Sequence, residues 1–294
     1  MFSFNDSNSL NCFDFKSESI VGCRKAQDGV RGAWFFHDID GKIIVIKRQD
    51  NADAQIMGSI FMQQLGINSP NARLVEESSL EGKSISILAD KYNINWKERT
   101  NFIIMDYVCG PNLGDLKPTS QDIELISNNL ESLGRLAVFD LLLCNFDRLQ
   151  LDGFGLNPGN IMFQEGNLTA IDTDCQAEEI FVSDQDRFKA AKLILKKMAQ
   201  NKGSFDEKII RIISKHFNET YNINLNLTHE KVTEGMEKAF DVLIKFCEYF
   251  DENKTIFIKN CKKSGLKMEL FPPKLEELIT DTVSVRKNFL REQK

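Results

Sequence analysis

Histidine, tryptophan and proline are scarce in this chain, at three, two and six residues among 294. So few histidines, with seven cysteines that never form a C-x-x-C pair, leave no spacing for a zinc cluster. The cysteines (Cys12, Cys23, Cys109, Cys144, Cys175, Cys247, Cys261) are odd in number and scattered. They fit reduced thiols in a cytoplasmic compartment better than a disulfide framework. An excess of positive charge is also missing. The net charge of −6 gives no field that phosphate backbones would reward, which excludes a general nucleic-acid binder. No apolar run reaches the roughly 18 residues a transmembrane helix needs. The opening MFSFNDSNSLNCFDF has no basic n-region, so a secretory signal is not expected.

What remains is an ordinary globular composition, 42% hydrophobic and 27% charged. The length fits one large domain or two lobes sharing a cleft. Character changes near residue 110. Before it, SIVGCRKA, GAWFFHD and KIIVIKRQ are short runs rich in β-branched and aromatic residues, and Ile39-Asp40-Gly41 supplies a hairpin turn between the last two. A helix is expected from Asn51 to Leu65, stopped by Gly66, and two further strands in SISILAD and NFIIMDYV. After Pro111 the pattern is helical: a long helix over Asp122–Phe146, then RFKAAKLILKKMA, EKIIRIISKHF, EKVTEGMEKAFDVLIKFCEYF and KLEELITDTVSVRKNFL, the last set off by Pro272-Pro273. The expected fold class is α+β: a small β-rich lobe with one helix over 1–108, and a larger, mostly helical lobe over 109–294.

Chemistry concentrates in NFDRLQLDGFGLNPGNIMFQEGNLTAIDTD, residues 145–174. Phosphoryl transfer requires little covalent help, so its sites are built from positioned carboxylates, amides and cations. Asp147 can accept the proton of an attacking hydroxyl, and Asn160 and Asp172 can hold Mg²⁺ through hard oxygen ligands. IMF and LTAI around Gly166 read as a hairpin that would bring those two ligands to one end. In the first lobe, QDGVRGAWFF places Gly29 and Gly32 where backbone N–H groups can approach phosphates, and Lys47 sits on the following strand. Each half also has a plain reading, a hairpin with a surface lysine in one case and a helix cap with a turn in the other. Together they occur in the order a protein-kinase-like fold demands.

FDLLLCNFDR followed by GLNPGNIMF and AIDTD resembles the atypical kinases that include actin-fragmin kinase, related in fold to phosphoinositide kinases and to HipA-type kinases. The similarity runs over roughly residues 20–175, and the long insertion from Asp147 to Asn160 points to the actin-fragmin type. The ordinary H-R-D-x4-N loop and D-F-G are absent. The resemblance implies ATP with Mg²⁺ (or Mn²⁺) and transfer to a protein hydroxyl. Asp147 becomes the base, Asn160 and Asp172 the metal ligands, Lys47 the phosphate lysine, and Gly29 and Gly32 the phosphate-loop glycines. Met105, Asp106, Tyr107 and Val108 become the adenine-contacting hinge. Arg148 either assists a phosphate or closes a salt bridge within its loop.

One position departs from the pattern. Where such kinases carry a glutamate on the N-lobe helix, NADAQIMGSIFMQQLGI carries Gln55, whose amide can accept from Lys47 but brings no charge. A pseudokinase or regulatory binding module is therefore an alternative, as are lipid phosphorylation and nucleotidyl transfer on the same scaffold. Five lysines (Lys254, Lys259, Lys262, Lys263, Lys267) form either a solvated helix end or a pocket for an inositol polyphosphate or anionic lipid head group. The last helix, with Glu276-Glu277 and a basic tail, is either an ordinary amphipathic helix or similar to the translocation signals of bacterial effectors delivered to a host cytosol.

Overall fold

A computed structural model describes residues 11–26, 32–49, 51–96, 101–150, 155–176, 185–200 and 207–293. It is α+β, a small antiparallel sheet followed by a mostly helical part, as a two-lobed kinase-like fold requires. The strands β1 (Ile20–Lys25), β2 (Trp34–Asp38), β3 (Ile43–Arg48), β4 (Ala72–Glu76) and β5 (Asn101–Asp106) stand in the order β1-β2-β3-β5-β4. The β2–β3 hairpin turns at Gly41, which takes φ +76° and donates its N–H to the Asp38 carbonyl at 3.0 Å. Residue alternation then sorts side chains to two faces. Val45, Ile103 and Met105 look into the main core, while Ile44, Ile46, Phe102 and Ile104 look the other way.

That second face is covered by α2 (Leu80–Lys91), which corrects the expectation of a strand in SISILAD. The Ser-Ile-Ser-Ile alternation is misleading. Ile85, Leu88 and Ala89 are the buried positions, at helical spacing, and the Ser79 hydroxyl caps the helix by accepting from the Gly82 N–H at 2.9 Å. β4 was not expected either: it is a short edge strand whose alternation, ARLVE, is too brief to stand out.

α1 (Ala52–Gln64) lies between the sheet and the helical lobe and is buried nearly all round. Gly66, at φ +76°, closes it: Ile67 N–H reaches back to the Met62 carbonyl at 2.9 Å. On its outer side stand α6 (Leu225–Glu248) and α7 (Phe250–Lys263). The ring of Phe61 meets Phe246 and Phe257 edge-on at 5.9 and 6.0 Å, and Gln64 Nε2 donates to the Asn253 carbonyl at 2.8 Å. A backbone bond from Leu74 N–H to Ser264 O, 2.8 Å, ties the end of α7 to β4.

α3 (Ser120–Leu142) and α6 form the axis of the helical lobe. They touch backbone to backbone: a Cβ on Gly134 would lie 2.1 Å from Val232 O, and one on Gly235 would lie 1.9 Å from Glu131 O. Around them pack α4 (Gln185–Gln200), α5 (Glu207–Tyr221) and α8 (Pro273–Glu292). The apolar face of α8 (Leu275, Leu278, Ile279, Val283) is buried, and Glu277 and Asp281 share Lys192 at 2.5 and 2.7 Å. It is thus an integral packed helix. No helix of the described residues is long and apolar enough to cross a membrane.

Candidate active site

The C-terminus of α3 starts the site. Cys144 takes the left-handed conformation (φ +52°) that glycine usually supplies, and Asn145 N–H returns to the Asp140 carbonyl at 2.8 Å. This sharp stop turns the chain so that Asn145 and Arg148 go inward and Asp147 outward. The short strands β6 (Leu149–Gln150) and β7 (Gly155–Leu156) follow, then the hairpin β8 (Ile161–Gln164) and β9 (Asn167–Ala170). Its turn has φ +51° at Glu165 and +80° at Gly166, the pair of positive values a type I′ turn demands. Asn129 on α3 pins that turn, donating to Gly166 O at 2.9 Å and accepting from Leu168 N–H at 2.8 Å.

Because Ile161 pairs with Ala170, the hairpin sets Asn160 and Asp172 at one end, and Ile171 N–H bonds Asn160 O at 3.2 Å. Asn160 Nδ2 donates to Asp147 Oδ2 at 2.7 Å, which leaves Asn160 Oδ1 and Asp147 Oδ1 without partners among the described residues. Asp172 sits at φ +51°, a left-handed strain that Asp tolerates better than most residues and that often marks a functional position. α1 seats the segment behind it. Cys175 N–H bonds the Ala54 carbonyl at 2.8 Å, and a Cβ on Gly58 would be 2.2 Å from Thr173 O.

From the sheet, Lys47 forms an ion pair with Asp172 Oδ1, and Gln55 Nε2 donates to the same oxygen at 2.8 Å. Burial pushes the Asp172 carboxyl up, but the Lys47 charge, the hydrogen bonds from Lys47 and Gln55, and Arg148 together hold it below its usual value. Gln55 does not meet Lys47 as expected. Its Oε1 is taken by Gln49 Nε2 at 2.9 Å. Gln49 follows Lys47 by two along the β3 direction, a spacing from which it could have been found.

Arg148 turns into the protein interior. It is only 1% exposed, paired with Asp140 Oδ1, and it donates to Asn160 O, Ile171 O and Thr173 Oγ1 at 3.2, 2.8 and 2.7 Å. The expected salt bridge is present, but it ties the loop to Asp140 on α3 and does not close within the loop. Burial pushes the Asp140 carboxyl up, against the pull of Arg148 and Asn145.

Gly32 takes φ +67° with open space about its Cβ position, while Gly29 lies outside the described residues. At the expected hinge, Met105 and Val108 are buried, and Tyr107 meets Phe35 edge-on at 5.5 Å. Asp106 turns away from the cluster, accepting from Cys12 N–H at 2.7 Å and Asn71 Nδ2 at 2.6 Å. A cavity of about 390 Å³ between the hinge and the α1–β4 turn is lined by none of Lys47, Gln55, Asp147, Asn160 or Asp172.

A strand lysine, an ion-paired Asp at the end of a hairpin, and an Asn holding a second, exposed Asp make up the cluster. The sequence profile described as actin-fragmin kinase, catalytic, matches residues 1–239. The chain belongs to the actin-fragmin kinase catalytic family. No curated protein matches the chain. The family is one of kinase-like phosphotransferases, so ATP and a divalent metal are the groups to test against the residues present. Asn160 Oδ1 and Asp172 Oδ2, hard oxygens without a partner among the described residues, fit a Mg²⁺-type ion, which keeps water and phosphate oxygens as its other ligands. No group of three or more His, Cys, Asp or Glu side chains among the described residues could hold a metal by itself. A soft-metal or all-protein cage is thus not what this cluster offers.

The five lysines are met one by one. Lys254 pairs with Glu276 (3.2 Å) and Asp251 (3.4 Å), Lys262 with Glu269 (2.9 Å), and Lys267 with Glu76 (2.7 Å). Lys263 lies over the Phe13 ring and Lys259 is exposed. Three of the five are thus held in ion pairs with carboxylates.

Proposed function

We propose that this chain is an ATP- and Mg²⁺-dependent kinase that phosphorylates a Ser or Thr hydroxyl of a protein. The observation that carries this reading is the convergence of Lys47 from the sheet with Asp172, Asn160 and Asp147 from the helical lobe. Asp147 receives the acceptor hydroxyl's proton as oxygen bonds to the γ-phosphorus and the bond to the ADP oxygen breaks. Its exposure lets the acceptor reach it, and the Asn160 amide fixes its orientation. Asn160 and Asp172 would hold the metal, which, when bound, neutralises charge on the phosphates. Lys47 steadies the phosphates as a point charge, and Arg148 holds the loop beneath.

Gln55 favours a second reading: a module that binds nucleotide and transfers slowly or not at all. Purified protein with ATP labelled at the γ or the α position decides between them. Label from the γ position appearing in protein supports the kinase, and label from the α position indicates nucleotidyl transfer. A thermal shift with ATP and Mg²⁺ but no transferred label supports the binding module.

A further inference from the structure

Asp172 accepts only, so the Gln55 group 2.8 Å from it must be the NH₂ end of the amide. The Gln55 oxygen then faces Gln49, which donates to it. Both glutamines are buried, at 2% and 5% exposure, so this orientation is fixed on both sides. Lys47 consequently has Asp172 as its one anionic partner among the described residues, and it approaches the oxygen that Gln55 also holds.

We propose that Gln49 and Gln55 are positioning residues that make Asp172 serve Lys47 and the metal in alternation. A carboxylate on α1 would give Lys47 a permanent resting place and leave Asp172 unclaimed. The neutral amide withholds that place. A dication approaching Asp172 meets the ammonium of Lys47 beside the carboxylate it needs, and the two cations repel. Only a nucleotide relieves the conflict, because its phosphate oxygens take Lys47 while Asp172 turns to the metal. Metal and nucleotide therefore bind as a coupled pair, each raising the affinity for the other by the same factor. The inference rests on the proposed metal site and goes beyond it, by assigning the order of exchange and two residues that enforce it.

The test is Mn²⁺ binding to the full chain, read as loss of the free-ion paramagnetic resonance signal, with and without a non-hydrolysable ATP analogue and after subtraction of the Mn²⁺ the analogue holds without protein. Wild type should bind Mn²⁺ about tenfold more weakly without the analogue, within the span usual for coupled sites. Lys47→Ala should tighten nucleotide-free Mn²⁺ binding by about tenfold and weaken the coupling by the same factor. Gln55→Glu, which keeps every charge in the wild-type site and offers Lys47 a second carboxylate, should move nucleotide-free binding in the same direction. Lys47→Arg keeps the cation and should stay near wild type. Equal nucleotide-free affinity in wild type, Lys47→Ala and Gln55→Glu overturns the alternation while leaving the metal site standing. Undiminished Mn²⁺ binding by Asp172→Asn, or none by wild type even with the analogue, overturns the metal site and the inference with it.

Discussion

Two ion pairs lie close together in this molecule and are built to opposite ends. Arg148–Asp140 is sealed, 1% exposed on either side, and the guanidinium is further held by two carbonyls and a hydroxyl. Lys47–Asp172 is thin: the lysine side chain is 11% exposed, the aspartate 40%, and a single carboxylate oxygen takes both of its donors among the described residues. A buried pair whose guanidinium is also hydrogen-bonded to its surroundings has nowhere to go, whereas a half-exposed pair with few partners can exchange them. The sealed pair fixes the backbone from which Asp147 and Asn160 project. The thin pair supplies the groups that change partners.

Breaking the thin pair should give the largest functional effect. Asp172→Ala is expected to lower phosphoryl transfer by on the order of 10²–10³-fold, with a melting temperature close to the parent's. Transfer at the parental rate would remove Asp172 from the mechanism. Breaking the sealed pair should act on stability instead. Arg148→Ala leaves Asp140 buried without its cation, and urea unfolding should show a loss of about 3–5 kcal/mol. Replacing both partners with apolar residues should cost less than replacing one, which would sharpen the distinction between a frame and a working contact.

Gly58 connects the two pairs, since α1 rests through it on Thr173, a partner of Arg148 next to Asp172. Gly58→Ala should cost about 1–3 kcal/mol by overpacking and lower transfer by up to about 10²-fold through displacement of Asp172. A variant with full activity would show that the seat is looser than the contact implies. A smaller effect is expected from acid. The Asp172 carboxyl is lowered in the folded chain, so the pair contributes stability above the ordinary value of 3.8 and loses it as pH falls through the lower, folded value. The melting difference between wild type and Asp172→Asn should therefore stay constant from neutrality down to that range and narrow below it. A difference that fades already near neutrality would contradict the assigned direction. The smallest effect is expected from the lysines: charge reversal at Lys262 and Lys263 should change stability by no more than about 0.5 kcal/mol. Inositol hexakisphosphate at physiological salt should leave melting unmoved, and a shift abolished by that reversal would restore an anion pocket.

Strands, the hairpin and the long helices were legible because their signals are local: β-branched runs, Asp-Gly and Gly turns, apolar spacing. The convergence of Asn160 and Asp172 was legible for the same reason, since one short hairpin separates them. SISILAD misled because its alternation outweighed, on paper, a Ser79 cap that only the folded chain makes decisive. The partner of Gln55 was beyond reach from sequence. Which end of an amide faces which neighbour depends on a contact between residues 117 positions apart. The inward turn of Arg148 was likewise set by Thr173 and Ile171, which belong to another element.

The outer wall of α1 has a consequence in time. Gln64 bonds Asn253, 189 residues further along the chain, and Phe61 packs on Phe257 from the same late helix. Residues 240–294, beyond the stretch the family profile matches, therefore supply part of the N-lobe's own core. During synthesis the sheet, Lys47 and the loop bearing Asp147 all emerge while α1 still has an open apolar side. Long-range closure of this kind slows folding and prolongs exposure of sticky surface. The helix that carries Gln55 is among the first made and among the last to be enclosed, so the cleft in which Lys47 meets Asp172 gains its final shape only after the ribosome has released nearly the whole helical lobe.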